Sequence, residues 1–123
     1  FGHHVQTLTG ASQKVRDAQQ RAGSQAEANE YAVALELQAD CYAGVWAANA
    51  SAASGGRVAL EEGDIEEGLR TASAIGDDAL QRRAGRNVNP ESFTHGSSAQ
   101  RKEWLLRGYQ TGNPNSCDTF ASL

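Results

Sequence analysis

From Ser24 to Gly56 the chain reads SQAEANEYAVALELQADCYAGVWAANASAASGG, and this stretch decides the fold. Ser24 and Glu27 stand at the spacing of a capping box, in which the serine hydroxyl accepts from an amide one turn in while the glutamate reaches back toward the helix start. Beyond that cap, Tyr31, Leu35, Gln38, Tyr42, Val45 and Trp46 recur every three or four residues, the period of one helical face. Ser54-Gly-Gly56 supplies the stop. The pattern predicts a helix of roughly 30 residues, long enough to be the spine on which shorter elements pack.

On the amino-terminal side, Val5, Leu8, Ser12 and Val15 predict one helix from Gly2 to about Ala22, ended by Gly23. On the other side, Asp64 is placed to cap a third helix carrying Ile65, Leu69 and Ala72. Gly76-Asp77 then punctuates the chain before a short fourth helix, Asp78 to Ala84. Residues 85–96 carry Asn, Pro and Gly without periodicity and read as a loop. Ser97-Ser-Ala-Gln100 is a second capping box, leading through Trp104, Leu105, Gly108 and Tyr109 to an end near Gly112. Asn113-Pro-Asn-Ser116 is a turn. No hairpin signal, internal repeat or heptad run appears, so the expected fold is all-α with about five helices.

The 123 residues fit one domain, 1–123. Of them 21 are Ala and 13 Gly, whereas Leu, Ile, Val and Phe together number 20, so the core must be thin. Two Trp and three Tyr serve as anchors, and a net charge of only -4 argues against disorder. The absence of Met, and an opening on Phe1 inside a helical pattern, lead us to expect a piece of a longer protein. Mild acidity without a Lys/Arg cluster argues against a nucleic-acid partner, which needs a basic stripe to displace phosphate counterions. The weakly charged run from Cys41 to Gly56 falls short of the ~20 apolar residues of a membrane span. Cys41 and Cys117 have no CxxC spacing and are either two free thiols or one bridge. A bridge between them would close a long loop, contribute roughly 4 kcal/mol in the chain-entropy model, and favour an extracytoplasmic setting.

Few residues offer chemistry. His3 and His4 are helical neighbours about 100° apart and cannot share a face, so a metal role for one leaves the other elsewhere. Glu36 and Asp40 share a face of the spine, flanked by Leu35, Leu37, Ala39 and Cys41 with no local counter-charge. They form either a solvated acidic face or half of a site, since buried carboxylates need a cation or an imidazole N–H. His95 lies in a loop just before a helix start. There is no GxSxG, no base beside Cys41 and no Gly-rich phosphate loop.

Taken together, Phe1-Gly-His-His-Val-Gln6, Glu36-Leu-Gln-Ala-Asp-Cys-Tyr-Ala-Gly-Val-Trp46, Gly63-Asp-Ile-Glu-Glu67, Ile75-Gly-Asp-Asp78, Phe93-Thr-His-Gly-Ser97, Gln100-Arg101 and Cys117-Asp-Thr-Phe120 resemble the bacterial family called "putative neutral zinc metallopeptidase". The resemblance covers nearly the whole chain. It implies the helical carboxy-terminal subdomain of a zincin-like enzyme, entered inside the H-E-x-x-H helix, so that Phe1 and Gly2 are the middle residues of that motif. Histidines at i and i+4 grip one zinc from one helical face, with the intervening glutamate as general base. By this resemblance His3 is the second zinc ligand and Glu36 the third, while Asp40 orients a ligand imidazole. His95 is the candidate donor to the oxyanion, with substrate contact or a structural hydrogen bond as alternatives. Cys41 and Cys117 both fall in family blocks, which favours their bridge. His4 and Gln6 are motif positions that sequence reasoning leaves unexplained.

The resemblance further implies a zinc-dependent endopeptidase as the parent, acting on a peptide or protein substrate. This chain, lacking the first histidine and the catalytic glutamate, would be inactive alone and hold zinc weakly or not at all. The competing expectation is a non-catalytic helical binding or assembly module on the same scaffold. An extracytoplasmic location, or anchoring to a membrane through a segment outside the chain, is expected, as is self-association through surface that a missing half would cover.

Overall fold

The spine forms as its caps demand. In the computed structural model, which describes residues 2–53, 55–56, 62–121 and 123, the Glu27 amide donates to Ser24 Oγ (3.1 Å) and Glu27 Oε2 accepts from the Gly23 amide (2.9 Å). The resulting helix, α3, runs Gln25–Ala53, and two short helices precede it, α1 (Gly2–Thr9) and α2 (Ala11–Arg21). After α3 come α4 (Glu62–Ala74), α5 (Asp77–Arg83) and α6 (Ser98–Thr111), with single 3-10 turns at Pro90–Ser92 and Pro114–Ser116. The all-α expectation holds: no strand occurs among the described residues. Phe1 and Ser54, which the sequence reading used as a motif position and a helix stop, lie outside the described residues.

Two expectations are corrected. The single helix from Gly2 to Ala22 is two, because Gly10 takes a left-handed conformation (φ 81°) that breaks the hydrogen-bond ladder, and this raises the α-helix count among the described residues from about five to six. A side chain at Gly10 would meet nothing within 4 Å, so the backbone angle, not packing, calls for glycine there. The third helix starts at Glu62, ahead of Asp64, which therefore lies in its first turn instead of at the cap. The second capping box forms as expected: Gln100 N donates to Ser97 Oγ (3.1 Å) and Ser97 N to Gln100 Oε1 (3.0 Å), while Gly112 closes α6 in the left-handed region.

Packing follows from the small residues. The buried apolar set is Val15, Ala34, Leu37, Ala39, Cys41, Ala50, Ala72, Phe93 and Cys117, so helices meet backbone against backbone. The most extensive contact is between α3 and α6, where a Cβ on Gly44 would strike the Leu105 carbonyl and one on Gly108 the Cys41 carbonyl. Helices α1 and α2 also pack on α3, and α4 packs on α6. Cys41 and Cys117 form a disulfide that ties the carboxy-terminal turn to the middle of the spine. Thr119 Oγ1 adds a hydrogen bond to the Ala34 carbonyl (2.6 Å).

Candidate metal centre

Close approach of two helices builds the site. A Cβ on Gly2 would collide with the backbone at Ala39, so α1 lies directly on α3 at this point and presents its next turn to Glu36. His3 and Gln6, three residues apart, share that face. His3 Nε2 lies 3.2 Å from Glu36 Oε2, and His3 Nδ1 lies 2.9 Å from Gln6 Oε1. His4, one position on, is exposed and takes no part in this set.

Gln6 is 0% exposed, and its partners leave no freedom in its orientation. Its Nε2 donates to the Leu35 carbonyl (2.6 Å) and to Gln38 Oε1 (2.9 Å), and Gln38 Nε2 donates in turn to the Cys117 carbonyl (3.3 Å). Backbone carbonyls only accept, so both amide groups are oriented by chemistry. Gln6 Oε1 is then an acceptor, and His3 Nδ1 must donate to it. In the neutral ring Nε2 is consequently the lone-pair nitrogen, facing a carboxylate that also offers only lone pairs. Such a pair is satisfied by a cation held between the two or by a second ring proton donated from Nε2 to Glu36.

Asp40 takes a different partner from the imidazole implied by the resemblance. Its two oxygens accept from Arg101 Nε (2.8 Å) and Nη2 (3.0 Å), a bidentate pair, and the same Nη2 comes within 4.0 Å of Glu36 Oε2. Burial pushes the Asp40 carboxyl above its ordinary range against the pull of Arg101, with Glu36 adding to the rise and His3 opposing it. The Asp40 hydrogen bonds raise Arg101 in return. Arg101 is thus the counter-charge that the acidic face of α3 lacked in sequence; it comes from a residue 61 positions away, which no local spacing could reveal.

The loop bearing His95 is organised by the Asp-Asp pair that opens α5. Asp77 Oδ2 accepts from the amides of Thr94 (2.9 Å), His95 (2.7 Å) and Gly96 (2.9 Å), while Asp78 Oδ1 accepts from the Ser98 amide (2.7 Å). Burial alone would raise Asp78, but the Ser98 amide and hydroxyl, the Ala79 amide and Arg82 bring it below its ordinary value. The His95 side chain is exposed, with Nδ1 2.9 Å from Thr94 Oγ1 and 3.6 Å from Asp77 Oδ1. Gly96 rests on Leu37 and Val33, which bracket Glu36 along α3, so the loop lies over the turn beside Glu36. Along the first half of α3 runs an open groove of about 580 Å³, with Val33, Ala34, Leu37 and Phe93 as its apolar lining and Glu30 and Gln100 among its polar residues.

The family model described as "Putative neutral zinc metallopeptidase" matches residues 1–120. The chain belongs to this family. It is 51% identical over 119 residues to the uncharacterized protein YpfJ of Escherichia coli (strain K12), covering 97% of this chain and 40% of that protein. It is 48% identical over 129 residues to the uncharacterized protein Rv2575 of Mycobacterium tuberculosis (strain H37Rv), covering 99% of this chain and 42% of that one. The chain therefore spans about two fifths of the length of the curated relatives it matches. No solved structure matches it.

The family's description names zinc, so the donor chemistry can be tested against that metal. An imidazole nitrogen and a carboxylate oxygen are both zinc ligands, and a ring whose other nitrogen donates a hydrogen bond is the usual arrangement for a ligating histidine. His3 and Glu36 fit on both counts. Among the described residues no three His, Cys, Asp or Glu side chains converge on one point. No helix among the described residues is long and apolar enough to cross a membrane.

Proposed function

We propose that the whole protein is a zinc-dependent endopeptidase and that this chain supplies two of its zinc ligands, His3 Nε2 and Glu36 Oε2, together with one wall of the substrate cleft. The observation that carries this reading is the 3.2 Å approach of those two atoms from elements 33 residues apart, with the second nitrogen of the ring already engaged by Gln6. When bound, zinc supplies the Lewis acidity that lets water attack a peptide carbonyl near neutral pH.

The chain's own residues would do the rest. Arg101, locked to Asp40, keeps a positive charge near Glu36 and limits how far that carboxylate can swing. The groove along α3 would take an extended peptide, with Val33, Leu37 and Phe93 receiving an apolar side chain. His95, on a loop held by three amide bonds to Asp77, would be the donor to developing oxyanion charge. The Cys41–Cys117 bridge supports an extracytoplasmic setting, where disulfides persist.

The full-length protein should contain about one zinc per chain and cleave an unstructured protein substrate in a chelator-sensitive manner. Glu36→Ala should abolish cleavage and reduce the zinc content. Full activity with normal zinc in that variant would overturn the ligand assignment, and a zinc-free, inactive parent would favour a non-catalytic scaffold.

A further inference from the structure

We propose that Gln6 is the positioning residue of the candidate metal centre: it selects the tautomer of His3 and aims Nε2 at Glu36. Four hydrogen bonds carry the argument. The Gln6 amide nitrogen is used twice, by the Leu35 carbonyl and by Gln38 Oε1, and Gln38 is itself oriented by the Cys117 carbonyl. With both N–H groups committed, the carboxamide cannot turn over without setting its oxygen against the Leu35 carbonyl. Its oxygen therefore faces His3 Nδ1 at 2.9 Å as an obligate acceptor.

Two consequences follow for the ring. In the neutral ring the proton sits on Nδ1, the reverse of the tautomer that free histidine favours in water, and the ring plane is set by a side chain with no exposure of its own. Nε2 then keeps its lone pair on the open side beside Glu36. Most ligating histidines are oriented by a carboxylate, a backbone carbonyl or water. Here a neutral amide does this work while the nearby carboxylate, Asp40, is taken up by Arg101. A neutral acceptor adds no negative charge to a site that already holds Glu36 and Asp40. The relay ends on the backbone of Cys117, so the disulfide anchors its far end.

The consequence for zinc rests on the proposed function; the consequence for the ring does not, and the test separates them. In zinc-free, histidine-labelled full-length protein, nitrogen-15 NMR at a pH where the ring is neutral should place the His3 proton on Nδ1. Gln6→Met keeps the shape and removes the acceptor, and should return the proton toward Nε2. Gln6→Glu restores an acceptor while losing both donated bonds, and should keep the proton on Nδ1. A residue that only stabilised the helix contact would be impaired alike in both variants. Titration with zinc alone should show affinity about 10–100-fold weaker in Gln6→Met than in the parent. Gln38→Met spares the Leu35 bond, gives a smaller change in the same direction, and serves if Gln6→Met does not fold. A parent proton on Nε2, or a tautomer and zinc affinity unchanged in the variants, would overturn the proposal. The expected tautomer pattern in a parent that binds no zinc would uphold the role of Gln6 and reject the metal reading.

Discussion

Arg101 carries the largest electrostatic responsibility of any residue in the site. It faces two carboxylates on α3, both largely shielded from water, and makes a bidentate pair with the deeper one. Removing one partner of a buried pair costs more than the pair contributes, because the charge left behind has no solvent to turn to. Arg101→Met should therefore destabilise the fold by about 2–4 kcal/mol at neutral pH, read from urea unfolding. The pH dependence has a definite sign. Burial already raises Asp40, and without Arg101 the folded-state value rises further above the unfolded one. The variant's deficit should then be greatest above the carboxylate range and shrink as acid neutralises Asp40. A deficit below about 0.5 kcal/mol, or one that does not change with pH, would mean the pair is effectively solvated. None of this could be read locally: the sequence shows Glu36 and Asp40 sharing a face, but their cation lies on another helix.

At the scale of elements, glycine placement divides into backbone and contact roles, and only the first was partly legible. The capping box at Ser97 and the serine cap at Ser24 formed because their partners lie within one turn, within reach of sequence reasoning, although Glu27 reaches back to the Gly23 amide instead of that of Ser24. The break at Gly10 was missed because the apolar spacing on either side continues unchanged, and nothing but the left-handed glycine marks it. Gly44 and Gly108 look like ordinary weak points in their helices until α3 and α6 are laid together. Gly108→Ala should cost about 1–3 kcal/mol or more, since the atom it meets is a backbone carbonyl that cannot rotate away. Gly63→Ala, in α4 with nothing among the described residues within 4 Å, is the internal control and should stabilise by about 0.5–1 kcal/mol. Similar urea midpoints for the two variants would show that the α3–α6 crossing is looser than described.

For the whole molecule, the thin core makes the Cys41–Cys117 bridge important. Few large apolar side chains are buried, and the bridge spans a sequence separation of 76, so its removal frees most of the chain. Unreduced, denatured protein should show essentially no titratable thiol, and reduction should lower stability by up to ~4 kcal/mol. Two thiols per chain before reduction would remove the bridge from the description.

Taken alone, the sequence determined the helical class, the long spine, both serine caps and, through resemblance, the family, because these rest on periodicity, on partners within one turn and on long motif blocks. Only the tertiary structure decided that His3 meets Glu36, that Arg101 answers Asp40, that Asp77 holds the His95 loop, and that Gln6, unexplained as a letter, hydrogen-bonds the His3 ring. Most of these partners lie tens of residues apart, and each meeting depends on how closely two helix backbones approach. That distance is set by small residues such as Gly2 against Ala39, whose effect exists only once the helices are packed.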